Sequence, residues 1–148
     1  MTRGGVACCG IATPTDERNH DARRVIAAAE QRANEIGQPM NIAVVDAGGN
    51  LVAHVRQDGA WIGSIEISMS KAWTSKAFDI QTKDLGDNSQ PTQQFFGIHT
   101  TNAHGRGVAI FAGGVPLSRD GQVVGAVGVS GGSGEQDQTV AEAGAAAL

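Results

Sequence analysis

The chain contains no tyrosine and few other aromatic residues, with four phenylalanines and two tryptophans among 148 residues. Glycine is frequent instead, with 21 residues that follow no repeat period. Because the aliphatic content is ordinary, these glycines indicate tight turns and close backbone contacts rather than collagen or disorder. A chain of this length is expected to form one domain with a real hydrophobic core.

Basic stripes, long apolar runs and paired cysteines are also missing. The net charge of −4 without a basic stripe argues against a nucleic-acid partner. No run approaches the roughly 18 apolar residues of a membrane span, so no membrane partner is expected. Residues 1–10 lack the apolar core of a signal peptide, which favours a cytoplasmic location. Cys8 and Cys9 are adjacent and make neither a disulfide framework nor a metal site, so we interpret them as reduced thiols.

Local signals divide the chain into a flexible tail, residues 1–14, and a single domain, residues 15–148. Helical spacing of apolar residues, with glycine and proline stops, predicts helices over 16–36, 60–80 and 135–147. Strands are predicted over 40–46, 51–56 and 106–111, and on both sides of the turn at Asp120-Gly121. Hairpins without a βαβ repeat favour an α+β sandwich, in which helices pack on an antiparallel sheet.

The second predicted helix has an unusual distribution of small polar residues. Its sheet-facing residues are predicted from helical spacing to be Ile62, Ile65, Met69, Ala72 and Trp73. The flank beside them consists of Ser64, Ser68, Ser70, Thr74 and Ser75. Such a flank permits close approach of another helix or a ligand, and simple solvent exposure explains it equally well.

Several short blocks occur in a fixed order along the chain. They are VVDAGGNL at 44–51, RQDGA at 56–60, KAWT at 71–74, GGVPL at 113–117, DG at 120–121, GAVGVSGG at 125–132 and QD at 136–137. Together these blocks resemble the GlcG/HbpS-type family, a haem-degrading domain family that also forms the C-terminal domain of PduO-type proteins. The resemblance implies a profilin-like α/β/α sandwich with a five-stranded antiparallel sheet flanked by helices. It also implies homo-oligomers and, for some members, binding of haem or cobalamin-type tetrapyrroles.

The resemblance suggests a haem-iron ligand on the first helix, where His20 lies. A solvated helix residue is the alternative interpretation of His20. If haem is the cofactor, Arg56 and Lys71 would pair with its propionates, because a fixed arginine can grip a carboxylate with two hydrogen bonds. Lys71 also fits a surface lysine whose stem packs on apolar neighbours.

Aromatic and glycine-rich positions are the other candidate cofactor contacts. Phe78, Phe95 and Phe96 would either wall an apolar pocket or belong to the core. The backbone N–H groups of Gly113 and Gly114, like those of 131–132, could bind an anion as a nest. Neither stretch has the spacing of a dinucleotide or P-loop motif.

The remaining histidines and turn aspartates have simpler interpretations. His54 lies on a predicted strand and is interpreted as a partly buried structural residue. His99 and His104 lack a third ligand at metal spacing, so a zinc site is not expected, although either could face a ligand at a subunit interface. Asp46 flanks a turn, where aspartate bonds its own backbone.

The leading hypothesis is a cytoplasmic, homo-oligomeric protein that binds haem or another tetrapyrrole and has a haem-degrading or iron-handling role. The alternative is a lyase or isomerase for an anionic metabolite. Arg56 and Lys71 would then position a carboxylate, and Asp58, Glu66 or a histidine would move a proton. A third possibility is a ligand sensor without catalysis, and whether the chain is an enzyme stays open at this point.

Overall fold

The computed structural model of the chain describes residues 14–101 and 106–148, with side chains from residue 18. Its helices are α1 (Pro14–Ile36), α2 (Ser64–Phe78), α3 (Thr82–Asp87) and α4 (Gly134–Ala145), with a 3-10 helix at Ile98–Thr100. Its strands are β1 (Asn41–Asp46), β2 (Leu51–Arg56), β3 (Gly114–Arg119) and β4 (Gln122–Ser130). Residues 1–13, which hold Cys8 and Cys9, lie outside the described part. No helix of the described residues is long and apolar enough to cross a membrane.

The strands form one antiparallel sheet in the order β2-β1-β4-β3. The central strands β1 and β4 pair over their whole common length, with Val44 opposite Val127. Both strands are covered on their two faces, which explains their continuous apolar sequences. The Asp120–Gly121 turn that joins β3 to β4 has positive φ at both residues (51° and 78°), as the predicted hairpin requires.

The sheet of the described residues has four strands, so the predicted five-stranded sheet is not confirmed. The missing strand was expected over 106–111. Val108 and Ala109 are buried there, but the Ala109 N–H donates to Thr74 Oγ1 on α2 (3.0 Å) instead of to a strand. A Cβ atom at Gly86 of α3 would overlap the Ile110 carbonyl group, so α3 packs directly on this backbone. The apolar residues of this segment are therefore buried against α2 and α3 rather than paired in the sheet.

Helices cover both faces of the sheet, as a sandwich requires. On one face α1 and α4 enclose the larger core, which includes Val25, Ile42, Val127 and Val140. On the other face α2 lies over β1, β3 and β4, and the residues between them are small. A Cβ atom at Gly128 would overlap the Ser68 carbonyl group, so α2 rests almost directly on β4.

This close approach corrects the predicted orientation of α2. Ala72 is buried and Met69 packs beside it as expected, but Ile62 lies before the helix and is 74% exposed. The supposed polar flank includes the buried side chains of Ser64, Ser68, Thr74 and Ser75. Small residues face the sheet because a larger side chain would push α2 away from Gly128.

Candidate functional site

The most deeply buried charges belong to Lys71 on α2 and Asp137 on α4. Lys71 is fully buried, and its Nζ atom lies 2.7 Å from Asp137 Oδ2 and 2.9 Å from the Val129 carbonyl oxygen. Burial lowers the pKa of Lys71, which Asp137 opposes. Burial likewise raises the pKa of Asp137, which Lys71 and the N–H groups of Gly132 and Gly131 oppose. The pair is therefore a desolvated ion pair held by hydrogen bonds on both members.

The glycines predicted to form an anion nest surround this same pair. The Gly132 N–H donates to Asp137 Oδ1 at 2.9 Å. The anion at the glycine pair 131–132 is therefore a carboxylate of the chain itself. The Gly113 N–H donates to Gln138 Oε1, and the Gly114 N–H donates to Thr82 Oγ1. Their donors are thus used within the chain rather than presented to an external anion.

Lys71 itself is not presented to a ligand in this fold. Its ammonium group is covered by the Phe111 ring, whose centroid lies 4.4 Å from Nζ. A Cβ atom at Gly113 would lie 2.9 Å from Nζ, so the backbone closes a second side. Lys71 was expected at the surface as a propionate anchor, but it lies in the interior. It can be buried there because Asp137 neutralises its charge. Sequence reasoning missed Asp137 as this partner, although the QD block contains it.

His54 lies on the edge strand β2, and Glu66 lies in the first turn of α2. His54 Nε2 is 3.3 Å from Ser68 Oγ, and Ser68 Oγ donates to the Ile65 carbonyl oxygen at 2.7 Å. Because that bond uses the hydroxyl proton, Ser68 is not arranged as a nucleophile activated by His54. Burial lowers the pKa of His54, and the charge of Glu66 opposes this shift. The contact links β2 to α2, as expected for a structural histidine.

Arg56 and Asp58 line a polar cleft between the second half of α1 and the end of β2. The cleft has a volume of about 490 Å³, and Glu30 and Asn34 of α1 form its opposite wall. Gln57 crosses it and donates to Asn34 Oδ1 at 3.2 Å. Glu66 and Lys71 are not part of the lining. The four catalytic candidates are therefore distributed over three separate places.

The histidines that the structure describes, His20, His54 and His99, lie on three different elements. His20 is exposed on α1, ten residues before Glu30, which corresponds to about 15 Å along the helix. His99 is exposed on the 3-10 helix, and His104 lies outside the described residues. Among the residues that the structure describes, no group of three or more His, Cys, Asp or Glu side chains could hold a metal ion.

The three phenylalanines expected at a pocket or in the core are exposed. Phe78 lies at the end of α2, and Phe95 and Phe96 lie in the turn-rich segment after α3. Phe96 is 66% exposed, and the other two are exposed to about 40%. None of the three lines the Arg56 cleft. The structure therefore places all three on the surface and not in the core.

Comparison with known proteins gives this fold a family. The sequence profile described as "Haem degrading protein HbpS-like" matches residues 18–146. A 15.0 kDa protein from the dhaT-dhaS intergenic region of Citrobacter freundii is 40% identical over 82% of this chain and 84% of its own length. The corrinoid adenosyltransferase PduO of Salmonella typhimurium is 36% identical over 92% of this chain, which spans only 40% of PduO.

A solved structure agrees with these sequence matches. The structure described as the PduOC:Heme complex superposes with a TM-score of 0.81 at 36% identity, over 87% of this chain and 92% of the other. These matches cover both helical layers and the whole sheet, and they confirm the resemblance seen in the sequence blocks. The chain belongs to the HbpS-like family of haem-degrading proteins.

Proposed function

We propose that this protein binds haem, or a related tetrapyrrole, and that His20 is the iron ligand. The observation that carries the proposal is the family match over residues 18–146, which includes His20, together with the similarity to a haem complex. Histidine is a common protein ligand of haem iron. His20 is exposed, so its imidazole is accessible without a change in the fold.

The residues around His20 fit a haem bound at the surface rather than inside one chain. Two open cavities of about 490 and 530 Å³ are lined by mixed polar and apolar residues, and no histidine lines either of them. A small apolar cavity near α1 has a volume of only about 80 Å³. A macrocycle bound at His20 would therefore rest on the outside of α1.

Arg23 is the best candidate to pair with a propionate at this position. It is exposed and lies three residues after His20, so the two side chains share one face of α1. The Arg56 cleft begins about 15 Å further along the helix, and Lys71 is already paired with Asp137. We therefore assign the propionate contact to Arg23. If bound, the haem would supply iron-centred redox chemistry, while the chain would provide the ligand and the counter-charge.

Exposed apolar side chains support association between copies of this chain. The described residues expose eight large apolar side chains, which are Leu51, Trp61, Ile62, Ile67, Phe78, Phe95, Phe96 and Phe111. Exposed aromatic residues of this kind are frequent anchors of subunit interfaces. Homo-oligomerisation is thus part of the proposal, and a haem-to-subunit ratio measured together with the molecular mass tests it.

The first test is a haemin titration followed in the Soret region, with wild type, His20→Ala and His99→Ala in parallel. We expect a saturable, red-shifted band for wild type and His99→Ala and its loss for His20→Ala. His99 is a matched control because it is also an exposed histidine on a helix. A saturable band that survives in His20→Ala would contradict the assignment of the ligand, and absorbance that never saturates would contradict haem binding.

Haem degradation, which the family description names, is the catalytic part of the proposal. Haem-loaded protein given ascorbate in air should lose its Soret band and release chelatable iron faster than free haemin does. His20→Ala should reduce this rate to that of free haemin. A loaded protein whose Soret band persists under these conditions would be a haem-binding sensor or carrier without catalysis.

The polar cleft supports a second candidate function, which is chemistry on a small anionic metabolite. Arg56 and Asp58 line it together, so an arginine that holds a carboxylate lies near a group that can transfer a proton. Thermal-shift screening of small carboxylates against wild type and Arg56→Gln tests this reading. Stabilisation that is lost in Arg56→Gln would favour it, whereas the absence of any stabilising carboxylate would count against it.

A further inference from the structure

A small cavity lies between the first half of α1 and the sheet, and neither His20 nor Arg56 lines it. Its volume is about 80 Å³, and its walls include Ala22, Val44, Leu117 and Val124. A cavity of about 150 Å³ with aliphatic walls holds a benzene molecule. About half of that volume suits a branched aliphatic group of three or four carbons. The cavity therefore selects a compact apolar group by size.

Charges of both signs surround the mouth of this cavity, where Arg18, Arg119, Asp21 and Asp46 contribute to the lining. Arg119 Nη2 donates to Asp21 Oδ2 at 2.9 Å. A guanidinium group has five N–H donors, so this bond leaves Arg119 able to bind a further carboxylate. The aspartate holds the arginine in place at the mouth.

Asp46 offers the opposite charge at the same mouth. Its Oδ1 atom accepts the N–H groups of Gly48 and Asn50 at 2.9 and 3.0 Å, which fixes the carboxylate in the β1-β2 turn. Its Oδ2 atom lies 3.8 Å from Arg18 Nη1, beyond hydrogen-bonding distance. Oδ2 therefore retains the capacity to accept a hydrogen bond from an ammonium group.

We propose that this cavity binds a small branched aliphatic α-amino acid. The side chain would fill the apolar space, the carboxylate would bind Arg119, and the ammonium would bind Asp46 Oδ2. Arg119 and Asp46 offer one charge of each sign at the mouth, so a zwitterion matches them better than a simple anion does. This site is separate from the haem site and does not depend on haem binding.

Calorimetric titration of the full chain with L-leucine and L-valine tests the ligand class. Three compounds each lack one feature: 4-methylpentanoate has no ammonium group, 3-methylbutylamine has no carboxylate, and glycine has no side chain. We expect saturable binding of at least one of the two amino acids. Each partial compound should bind at least about tenfold more weakly than that amino acid, because each loses a charge-assisted contact or the apolar contact. No saturable heat with either amino acid would overturn the proposal, and so would equally tight binding of 4-methylpentanoate.

Two arginine variants test the position of the ligand. Arg119→Gln removes a guanidinium group from the mouth, whereas Arg24→Gln removes one that binds Asp21 Oδ1 at 2.8 Å outside the lining. The two side chains have similar exposure, 43% and 45%, and each loses one ion pair with Asp21. We expect binding to weaken at least about tenfold in Arg119→Gln and less than about twofold in Arg24→Gln. Equal effects would place the ligand elsewhere and refute the site.

A third variant blocks the apolar space itself. Val124→Phe adds volume to the wall of the cavity, so binding should disappear while haemin binding stays unchanged. Unchanged amino-acid affinity in a folded Val124→Phe would overturn the proposal. If that variant does not fold, the comparison of the two arginine variants decides.

Discussion

Replacement of Lys71 by methionine should lower the free energy of unfolding more than removal of any other charged side chain described above. The substitution keeps the length of the side chain but leaves Asp137 buried without its cation. Breaking a buried pair in this way costs about 3–5 kcal/mol, because the remaining charge is not solvated. Lys76→Met is the matched control, since Lys76 is also on α2 and its Nζ lies 2.6 Å from Asp79, which is 56% exposed. A pair whose carboxylate is open to solvent contributes about 0–1 kcal/mol.

Urea unfolding followed by far-ultraviolet circular dichroism measures both free energies. The double variant Lys71→Met/Asp137→Leu should recover much of the loss, because an apolar pair of similar volume often replaces a buried ion pair at little cost. Its recovery would show that the isolated charge, rather than a packing defect, causes the destabilisation. The reasoning is refuted if Lys71→Met costs no more than Lys76→Met.

The pH dependence of the same variant gives an independent check. Burial raises the pKa of Asp137, and in Lys71→Met the opposing cation is absent. Between its unfolded pKa and its higher folded pKa, Asp137 binds more protons in the folded state, so the free energy of unfolding falls as the pH rises. We therefore expect Lys71→Met to be closer to wild type at pH 5 than at pH 8. A deficit that grows on acidification would contradict the buried carboxylate.

Two further predictions concern packing and titration. Gly128→Ala should cost at least about 1–3 kcal/mol in urea unfolding, because its Cβ atom would overlap the Ser68 carbonyl group. Gly63→Ala, which meets open space at negative φ, should change stability by less than about 1 kcal/mol, and equal losses would refute the close contact. Burial lowers the pKa of His54, so its contribution to stability is present above the unfolded pKa and is lost as the pH falls through the folded one. His54→Asn should therefore lose less stability than wild type between pH 7.5 and 5, and an unchanged pH slope would contradict this.

The hairpins could be predicted because their signals are local. Asp120-Gly121 determines a turn from two adjacent residues, and the structure has the positive φ angles that this turn needs. The start of α4 is also local, since Ser133 and Gln136 form a capping box. Such features depend on neighbours in the sequence, so they need no knowledge of the rest of the chain.

The features that sequence reasoning missed depend on distant contacts. The segment 106–111 has the composition of a strand, but Thr74 and α3 bury it instead of a neighbouring strand. Lysine is usually a surface residue, but Lys71 forms an ion pair in the interior with Asp137, which lies 66 positions later in the chain. Neighbouring residues in the sequence do not reveal either of these long-range contacts. Periodicity therefore predicted where helices and strands occur better than it predicted which residues surround them.

Four of the seven blocks that carry the family resemblance meet at one place in the fold. Lys71 from KAWT and Asp137 from QD form the buried ion pair, which joins α2 on one face of the sheet to α4 on the other. Gly132 from GAVGVSGG and Gly113 from GGVPL lie against this pair. These blocks therefore specify how the two helical layers are connected rather than which ligand is bound. His20 lies outside every block and on an exposed helix face. The resemblance consequently predicts the fold from residues that are central to it, whereas the proposed iron ligand is a surface residue outside these blocks.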